Sequence, residues 1–324
     1  MNDSVVEVLK DYSRLFRFPM LLLIVAFQFM IYFFVVTPYL ESYGIAPSMS
    51  VLDCSLLVLA TLFITAGGYV INDYFDMKID QINRPLTRVV GRRLDKNGVM
   101  SLYRVLTIIG AVFSILLCWR AQSFEYLLVL LFVAGVLWFY SSNYKRTFFL
   151  IIGNLGNFIA ALLMALVPLI VVLFQNQFMT LEYNMNPDLM FIMKGLMVYG
   201  LAFSFVAFAW TFILEVVNDL ISVKGDRELE CHTFPVVWGV QKTKWLLYGC
   251  LTLMLVLSAL FFYFTPSLHT SASLRFYVCG FFVPALSLFY IISKSQSPAD
   301  YKLVSNYVMV IFAVNISYIF VLDF

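Results

Sequence analysis

Long apolar runs alternate with shorter polar segments along the whole chain. Nine uncharged apolar runs approach the ~20 residues that a helix needs to cross a bilayer. Backbone polar groups inside lipid must be hydrogen-bonded within their own segment, so each run is predicted to be a helix. The chain is therefore predicted to be an all-α integral membrane protein, a single polytopic domain over residues 1–324. The predicted spans are residues 19–36, 54–71, 105–119, 126–143, 148–173, 195–214, 245–264, 276–293 and 303–322.

The composition excludes a protein that folds entirely in water. Hydrophobic residues make up 62% of the chain and charged residues 12%, whereas soluble domains have about 45–50% and about 25%. The five cysteines form no CxxC pair and there are two histidines, which argues against a disulfide framework or a zinc site. Acidic and basic residues precede the first apolar run, so no cleavable signal peptide is expected. The net charge of +2 gives no reason to expect a nucleic acid as a partner.

Basic residues are unevenly distributed between alternate polar segments. Of the 21 Lys and Arg residues, eighteen fall in the N-terminal segment and the even-numbered loops, and three fall in the odd-numbered loops. Cytoplasmic segments of membrane proteins carry such an excess. The pattern predicts a cytoplasmic N-terminus and an external C-terminus, in a bacterial or archaeal cell membrane. It also supports the count of nine spans, because one missed helix would break the alternation.

Oxygen-bearing side chains collect where the second span reaches the cytoplasmic side. If the helix continues at 3.6 residues per turn, four of them share about a quarter of its circumference. Carboxylates at this spacing repel one another, which indicates a counter-charge. We call this group the first motif; it consists of Asn72, Asp73, Asp76 and Asp80.

The sixth span ends in a similar group, the second motif, which consists of Glu215, Asp219, Ser222 and Asp226. A solvated helix end is the alternative interpretation of each group, but two of them on same-side loops of a membrane protein favour a functional site. On a straight helix Asp219 and Asp226 would be about 10 Å apart, too far to bind one ion together. Either the helix unwinds near Gly225, or only one of the two aspartates binds the ion directly while the other binds it through water. We favour unwinding, since glycine accepts backbone angles that other residues avoid.

Hard oxygen ligands without His or Cys indicate Mg²⁺, which commonly completes its shell with substrate phosphates. An anionic substrate is therefore expected, and a diphosphate on a long apolar tail would explain why the site lies in a membrane. Arg84 and Arg88 in the second loop and Lys145 and Arg146 in the fourth loop are the cations nearest to this chemistry. Lys145 and Arg146 are interpreted either as diphosphate ligands or as ordinary positively charged anchors.

The first motif resembles a known sequence pattern. Residues 72–80 read NDYFDMKID and are similar to the NDxxDxxxD motif of the UbiA superfamily of intramembrane prenyltransferases. The segment 140–154 is similar to the connection between the fourth and fifth helices of that family. Within the superfamily, residues 79–85 and 219–235 resemble the branch that contains digeranylgeranylglyceryl phosphate synthases. The resemblance extends over essentially the whole chain.

The resemblance implies a nine-helix bundle with a cytoplasmic-side active site and a Mg²⁺-bound prenyl diphosphate. It implies that Asn72, Asp76 and Asp80 bind one Mg²⁺ with support from Asp73. Asp219 and Asp226 would bind a second Mg²⁺, and these five aspartates would be the catalytic set. The residues implied to bind the diphosphate are Asn72, Arg84, Lys145 and Arg146.

Three positions depart from the branch. It usually has aspartate where Ser222 stands, glycine where Glu230 stands, and Pro-Ser-Gly where Val89-Val90-Gly91 stands. The loss of one carboxylate at Ser222 would weaken the second metal site, would shift its load to Asp219 and Glu215, or would mark a group with a different acceptor.

We predict a Mg²⁺-dependent transferase that moves a geranylgeranyl-type group from a prenyl diphosphate to the hydroxyl group of a geranylgeranylglyceryl phosphate-type lipid. Prenylation of an aromatic quinone precursor, such as 4-hydroxybenzoate or a naphthoate, is an alternative. A non-catalytic membrane protein that binds or transports prenyl lipids is an alternative of another class. In each case the expected partners are a prenyl lipid, its acceptor where there is one, and the surrounding membrane lipids.

Overall fold

The computed structural model describes residues 3–83, 85–86, 88–142, 155–183, 186–264 and 270–324. These residues are almost entirely helical, and the one β-type contact among them is an isolated bridge between Val90 and Leu94. The α-helices are α1 (Asp3–Leu15), α2 (Phe18–Ile31), α3 (Thr37–Glu41), α4 (Val51–Phe75), α5 (Met77–Asn83), α6 (Lys96–Arg120), α7 (Phe124–Ser141), α8 (Leu155–Glu182), α9 (Pro187–Glu228), α10 (Phe234–Val237), α11 (Val240–Phe264), α12 (Ser271–Phe276), α13 (Val283–Lys294) and α14 (Pro298–Ile316).

The prediction of an all-α protein with nine membrane spans is confirmed for the described residues. Nine helical stretches among them are long and apolar enough to cross a membrane. Two of these stretches contain a π-helical turn, Tyr32–Val36 between α2 and α3 and Tyr277–Phe282 between α12 and α13. The largest difference is at the sixth span, where residues 195–214 were predicted and α9 is a helix of 42 residues. The helix continues past the uncharged run because polar residues can also occupy helical positions outside the lipid.

The chain forms two compact units. The first contains residues 1–32, 47–151 and 170–190, and the second contains residues 33–46, 152–169 and 191–324. The first motif belongs to the first unit and the second motif to the second unit. A single domain over residues 1–324 remains a prediction.

In the first unit, close packing of α4 against α6 fixes the helix that carries the first motif. A Cβ added at Gly67 would lie 3.1 Å from Thr107 Oγ1, and one at Gly110 would lie 2.8 Å from Ile64 Cγ1. Small residues allow such close approach of membrane helices, where no hydrophobic effect drives association. Further along α4, buried Val70 packs in a cluster with residues of α1, α2 and α6. The end of α4 is therefore held on several sides.

In the second unit, a buried polar network holds α9 against neighbouring helices. The Trp210 indole donates a hydrogen bond to Asn315 Oδ1 at 3.3 Å, and Asn315 Nδ2 donates to the Gly280 carbonyl at 3.0 Å. Closer to the second motif, the Ser305 hydroxyl donates to Asn218 Oδ1 at 3.1 Å. These contacts join α9 to α14, and α14 to the π-helical turn before α13.

Candidate active site

The first motif lies where α4 meets α5. Asp76 interrupts the helix for one residue, but the backbone hydrogen bonds continue from Asp76 N–H to Asn72 O and from Asp80 N–H to Asp76 O, each at 2.9 Å. The Asn72 amide donates to Asp76 Oδ2 at 2.8 Å, and both side chains are half-buried. Asn72 and Asp76 are thus in contact, and Asp80 lies one turn further along.

Asp73 has a cationic neighbour that the sequence pattern did not identify. Arg17 Nη2 lies 3.7 Å from Asp73 Oδ1, and the same guanidinium stacks over the Tyr69 ring at 4.9 Å. Arg17 is one of several basic residues in the N-terminal segment, and no local pattern relates it to a residue 56 positions later. Its charge stabilises a carboxylate in the middle of the first motif.

The donor set of the first motif fits Mg²⁺. The Asn72 amide and the carboxylates that follow it offer hard oxygen ligands, which Mg²⁺ prefers. Among the described residues, no group of three or more His, Cys, Asp or Glu side chains is close enough to hold a metal ion. Mg²⁺ usually binds through one or two carboxylates and takes its remaining ligands from water and substrate phosphates. The motif therefore suits an ion that is bound together with a phosphorylated substrate.

The predicted unwinding near Gly225 is wrong. The helix α9 runs without a break through Gly225 to Glu228, and the Leu229 N–H donates to the Gly225 carbonyl at 3.0 Å. A glycine inside a helix costs about 1 kcal/mol relative to alanine, which a packed and capped helix can tolerate. Asp219 and Asp226 therefore remain about 10 Å apart along the helix axis.

Each carboxylate of the second motif has its own hydrogen-bond donors. The Asn157 amide, which is 7% exposed, donates to Asp219 Oδ2 at 2.6 Å. Asp226 is 5% exposed, and its Oδ2 accepts hydrogen bonds from Ser222 at 2.8 Å and from Thr233 at 3.2 Å. The hydroxyl of Ser222 thus contacts Asp226 from the position where the related branch usually has a carboxylate. The two aspartates are not brought to one point, so they would not bind a single ion together.

Asn157 is, like Arg17, a residue that the sequence pattern did not identify. It lies in α8, within an otherwise apolar stretch. A polar side chain in a membrane span is a functional signal in itself, so its position could have drawn attention. Its partner could not have been predicted, because Asp219 is 62 residues away.

The predicted diphosphate ligands Arg84, Lys145 and Arg146 lie outside the described residues.

Comparison with known proteins gives one matching family and a set of relatives. The model of the UbiA prenyltransferase family matches residues 30–315. Digeranylgeranylglyceryl phosphate synthase from Sulfurisphaera tokodaii is 29% identical over 209 residues, which is 64% of this chain and 66% of the relative. The enzyme of the same name from Methanobrevibacter smithii is 27% identical over 186 residues, 57% of this chain and 58% of the relative. The chain thus spans roughly three fifths of the length of the curated relatives it matches.

Two solved structures have a similar fold. A structure of digeranylgeranylglyceryl phosphate synthase matches with a TM-score of 0.57 and 20% identity, covering 97% of both chains. A UbiA homolog from Archaeoglobus fulgidus bound to GPP and Mg²⁺ matches with a TM-score of 0.56 and 16% identity, covering 96% of this chain and 98% of that one.

Proposed function

Since the chain belongs to the UbiA prenyltransferase family, we propose that it transfers a geranylgeranyl-type group from a prenyl diphosphate to the hydroxyl group of a geranylgeranylglyceryl phosphate-type lipid. The observation that carries the proposal is the contact between Asn72 and Asp76 at the end of a membrane helix, where oxygen ligands suit a Mg²⁺–diphosphate complex. Relatives named digeranylgeranylglyceryl phosphate synthase support the choice of acceptor.

In the proposed mechanism, Asn72, Asp76 and Asp80 bind one Mg²⁺. Asp73 supports the motif through its pairing with Arg17. Bound Mg²⁺ supplies Lewis-acid stabilisation of the departing diphosphate. The apolar spans keep water from the allylic carbon, so that the acceptor hydroxyl rather than water attacks it. A C–O bond forms between the acceptor hydroxyl and the allylic carbon, the allylic C–O bond to diphosphate breaks, and the hydroxyl proton passes to the released diphosphate.

The other site residues have proposed roles of the same kind. Asp219, oriented by Asn157, is the member of the second motif that is placed to bind an ion directly, and Asp226 contributes through a water molecule or by holding the helix end. Arg84, Lys145 and Arg146 bind diphosphate oxygens through charge-assisted hydrogen bonds.

The proposed function is tested by the identity of the product. Purified protein is incubated with geranylgeranyl diphosphate and a panel of acceptors, with and without Mg²⁺, and the products are identified by mass spectrometry. We expect a Mg²⁺-dependent ether with geranylgeranylglyceryl phosphate. A prenylated aromatic ring as the sole product would replace the proposed acceptor. Binding of the prenyl lipid without any product would contradict the proposed transferase.

We also propose that the first motif faces the cytoplasm, because the excess of Lys and Arg lies on that side. Asn97, just after the N-terminus of α6, and Glu182, at the C-terminus of α8, are exposed residues on opposite predicted sides. In intact cells, a membrane-impermeant maleimide should label Glu182→Cys and leave Asn97→Cys unlabelled. The reverse labelling would contradict the orientation.

A further inference from the structure

The loop between α5 and α6 contains an arginine, Arg88, with a buried nitrogen that has no hydrogen-bond partner among the described residues. This nitrogen is Nη1, and it is shielded from solvent. No other charged side chain among the described residues has such an atom. Burying a charged donor without a partner is unfavourable, so such a group calls for an explanation.

Neighbouring cations are engaged in contacts. Arg93 Nη1 donates to Asp11 at 2.8 Å and to Glu7 at 3.2 Å, which ties the loop to α1. Arg92 donates to the Leu86 carbonyl. The Lys96 ammonium lies 5.5 Å from the centre of the Tyr74 ring. These three cations each contact a group of the protein, whereas Arg88 Nη1 has no hydrogen-bond partner among the described residues.

A glycine with a left-handed backbone, Gly91, lies next to both Met77 and the Arg88 guanidinium. Gly91 has a φ of +74°, and the point where its Cβ would lie is 2.6 Å from Met77 Sδ and 4.0 Å from Arg88 Nη1. A side chain at this position would force the Met77 sulfur to shift and would be strained by the left-handed backbone, so this turn of the loop favours glycine. Met77 directly follows Asp76 in the sequence, so the loop that carries Arg88 packs against the residue next to a proposed Mg²⁺ ligand.

We propose that Arg88 binds a phosphate oxygen of the substrate beside the first motif, an inference that rests on the proposed function. A guanidinium forms strong charge-assisted hydrogen bonds with phosphate and retains its charge at any working pH. Both substrates of the proposed reaction carry such oxygens, in the diphosphate of the donor and in the phosphate of the acceptor. Arg88 would bind either phosphate through the same kind of hydrogen bond, and the experiment below distinguishes the donor from the acceptor.

A ligand-binding role and a structural role predict opposite effects on the protein without substrate. An arginine that held the loop together would destabilise the protein when replaced. An arginine whose buried Nη1 has no partner among the described residues until substrate binds should leave the stability unchanged, or raise it, when the charge is removed. Arg88→Gln is therefore expected to have an equal or higher melting temperature in the absence of ligand.

The experiment compares Arg88→Gln and Arg88→Lys with Lys78→Gln, which removes a charge from an exposed side chain of α5. KM is measured for geranylgeranyl diphosphate at saturating acceptor and for the acceptor at saturating donor. We expect Arg88→Gln to raise one of these constants by about 10- to 100-fold, as for the loss of a hydrogen bond to a charged group. Arg88→Lys should give a smaller rise, and Lys78→Gln should stay within about twofold. The constant that rises identifies the phosphate bound.

A binding measurement keeps the inference separate from the proposed function. For the same proteins, two shifts in melting temperature are measured. One follows the addition of Mg²⁺ with inorganic pyrophosphate, and the other follows the addition of glycerol 1-phosphate. We expect one of the two shifts to be present in the wild type and in Lys78→Gln and lost in Arg88→Gln. If the wild type shows no turnover, the proposed function is contradicted, but the comparison of melting-temperature shifts still tests the role of Arg88. Retention of both shifts in Arg88→Gln would overturn the inference. If Arg88→Gln does not fold, unchanged KM values in Arg88→Lys together with a lower melting temperature would overturn it as well.

Discussion

Glu230 occupies a backbone position that glycine would take with less strain. Its φ is +55°, and the hydrogen bonds from Cys231 N–H to Asp226 O and from Glu230 N–H to Arg227 O close the end of α9. This is a Schellman ending, in which the left-handed residue is usually glycine. The branch that this chain resembles usually has glycine at this position, and the left-handed backbone gives a structural reason for that preference.

Replacing Glu230 with glycine should stabilise the protein. A side chain in the left-handed region costs roughly 1–2 kcal/mol, part of which is offset by the larger entropy of glycine in the unfolded chain. Glu230→Gly is expected to raise the free energy of unfolding by about 1 kcal/mol, measured by thermal unfolding in detergent. Glu228→Gly, in the last helical turn, is the control and should lower it by a similar amount. A loss of stability in both variants would contradict the assignment of strain to Glu230.

Ser222 is the position where a single change should restore a stronger metal site. The Ser222 hydroxyl is 2.8 Å from Asp226 Oδ2 and lies one turn before it on a continuous helix. A carboxylate at this position would form a pair with Asp226 that Mg²⁺ can bridge, which Asp219 cannot do from about 10 Å. Ser222→Asp is therefore expected to lower the Mg²⁺ concentration for half-maximal activity.

Ser222→Ala is the matched control, since it removes the hydroxyl without adding a ligand. Its half-maximal Mg²⁺ concentration should not fall. If Ser222→Asp remains active and needs as much Mg²⁺ as the wild type, or more, then the second motif does not bind an ion at this turn, and Asp226 acts only through its hydrogen bonds to the helix end.

Pairings between distant residues are the part of the site that the sequence could not supply. The helical periodicity was sufficient to place Asn72 and Asp76 in contact, because four residues separate them on one helix. The contact of Asp73 with Arg17 joins α4 to the turn before α2, and the contact of Asp219 with Asn157 joins α9 to α8. Such contacts depend on how helices pack, which no local pattern in a single sequence encodes.

Among the helices, the apolar runs predicted the positions of all nine described spans but not their ends. An uncharged window stops at the first charged residue, whereas a helix stops where its last carbonyl groups are capped. The helix α9 therefore extends to Glu228, fourteen residues beyond the predicted end at residue 214. Gly225 was a plausible point of unwinding by its backbone freedom alone, but the hydrogen bonds of the following turn keep it helical.

An ion pair joins α4 to α6 at the end opposite the first motif. Asp53 is 2% exposed, accepts hydrogen bonds from the Arg120 guanidinium, and forms a capping box with Ser50 at the N-terminus of α4. The first motif lies about 30 Å away at the other end of the same helix. This pair therefore serves the stability of α4 rather than its chemistry.

Removal of the charge at Asp53 should destabilise the protein and leave the site intact. Asp53→Asn leaves Arg120 without its counter-ion, and we expect a loss of about 1–3 kcal/mol, because the carboxylate is buried while Arg120 is partly exposed. Thermal unfolding in detergent measures the change. Asp188→Asn, an exposed carboxylate in the first turn of α9, should change stability by less than about 0.5 kcal/mol. Equal effects of the two substitutions would contradict the role assigned to Asp53.

For the molecule as a whole, the family match over residues 30–315 includes both motifs and parts of both compact units. The charge asymmetry between alternate loops places both motifs on one predicted side of the membrane. A transferase that uses a charged diphosphate and an apolar tail needs this combination of polar helix ends and apolar spans. The central claim is therefore that the first motif binds the Mg²⁺ that makes diphosphate release possible.

Release of diphosphate from geranylgeranyl diphosphate, measured with and without Mg²⁺ in the presence of acceptor, tests this claim most directly. We expect the wild type to require Mg²⁺, and Asp76→Ala to be slower by about 100-fold or more at saturating Mg²⁺, because an ion that stabilises the leaving group is lost or misplaced. Asp188→Asn, the exposed control, should release diphosphate at the wild-type rate. Release that does not depend on Mg²⁺, or near-normal turnover by Asp76→Ala, would contradict the account.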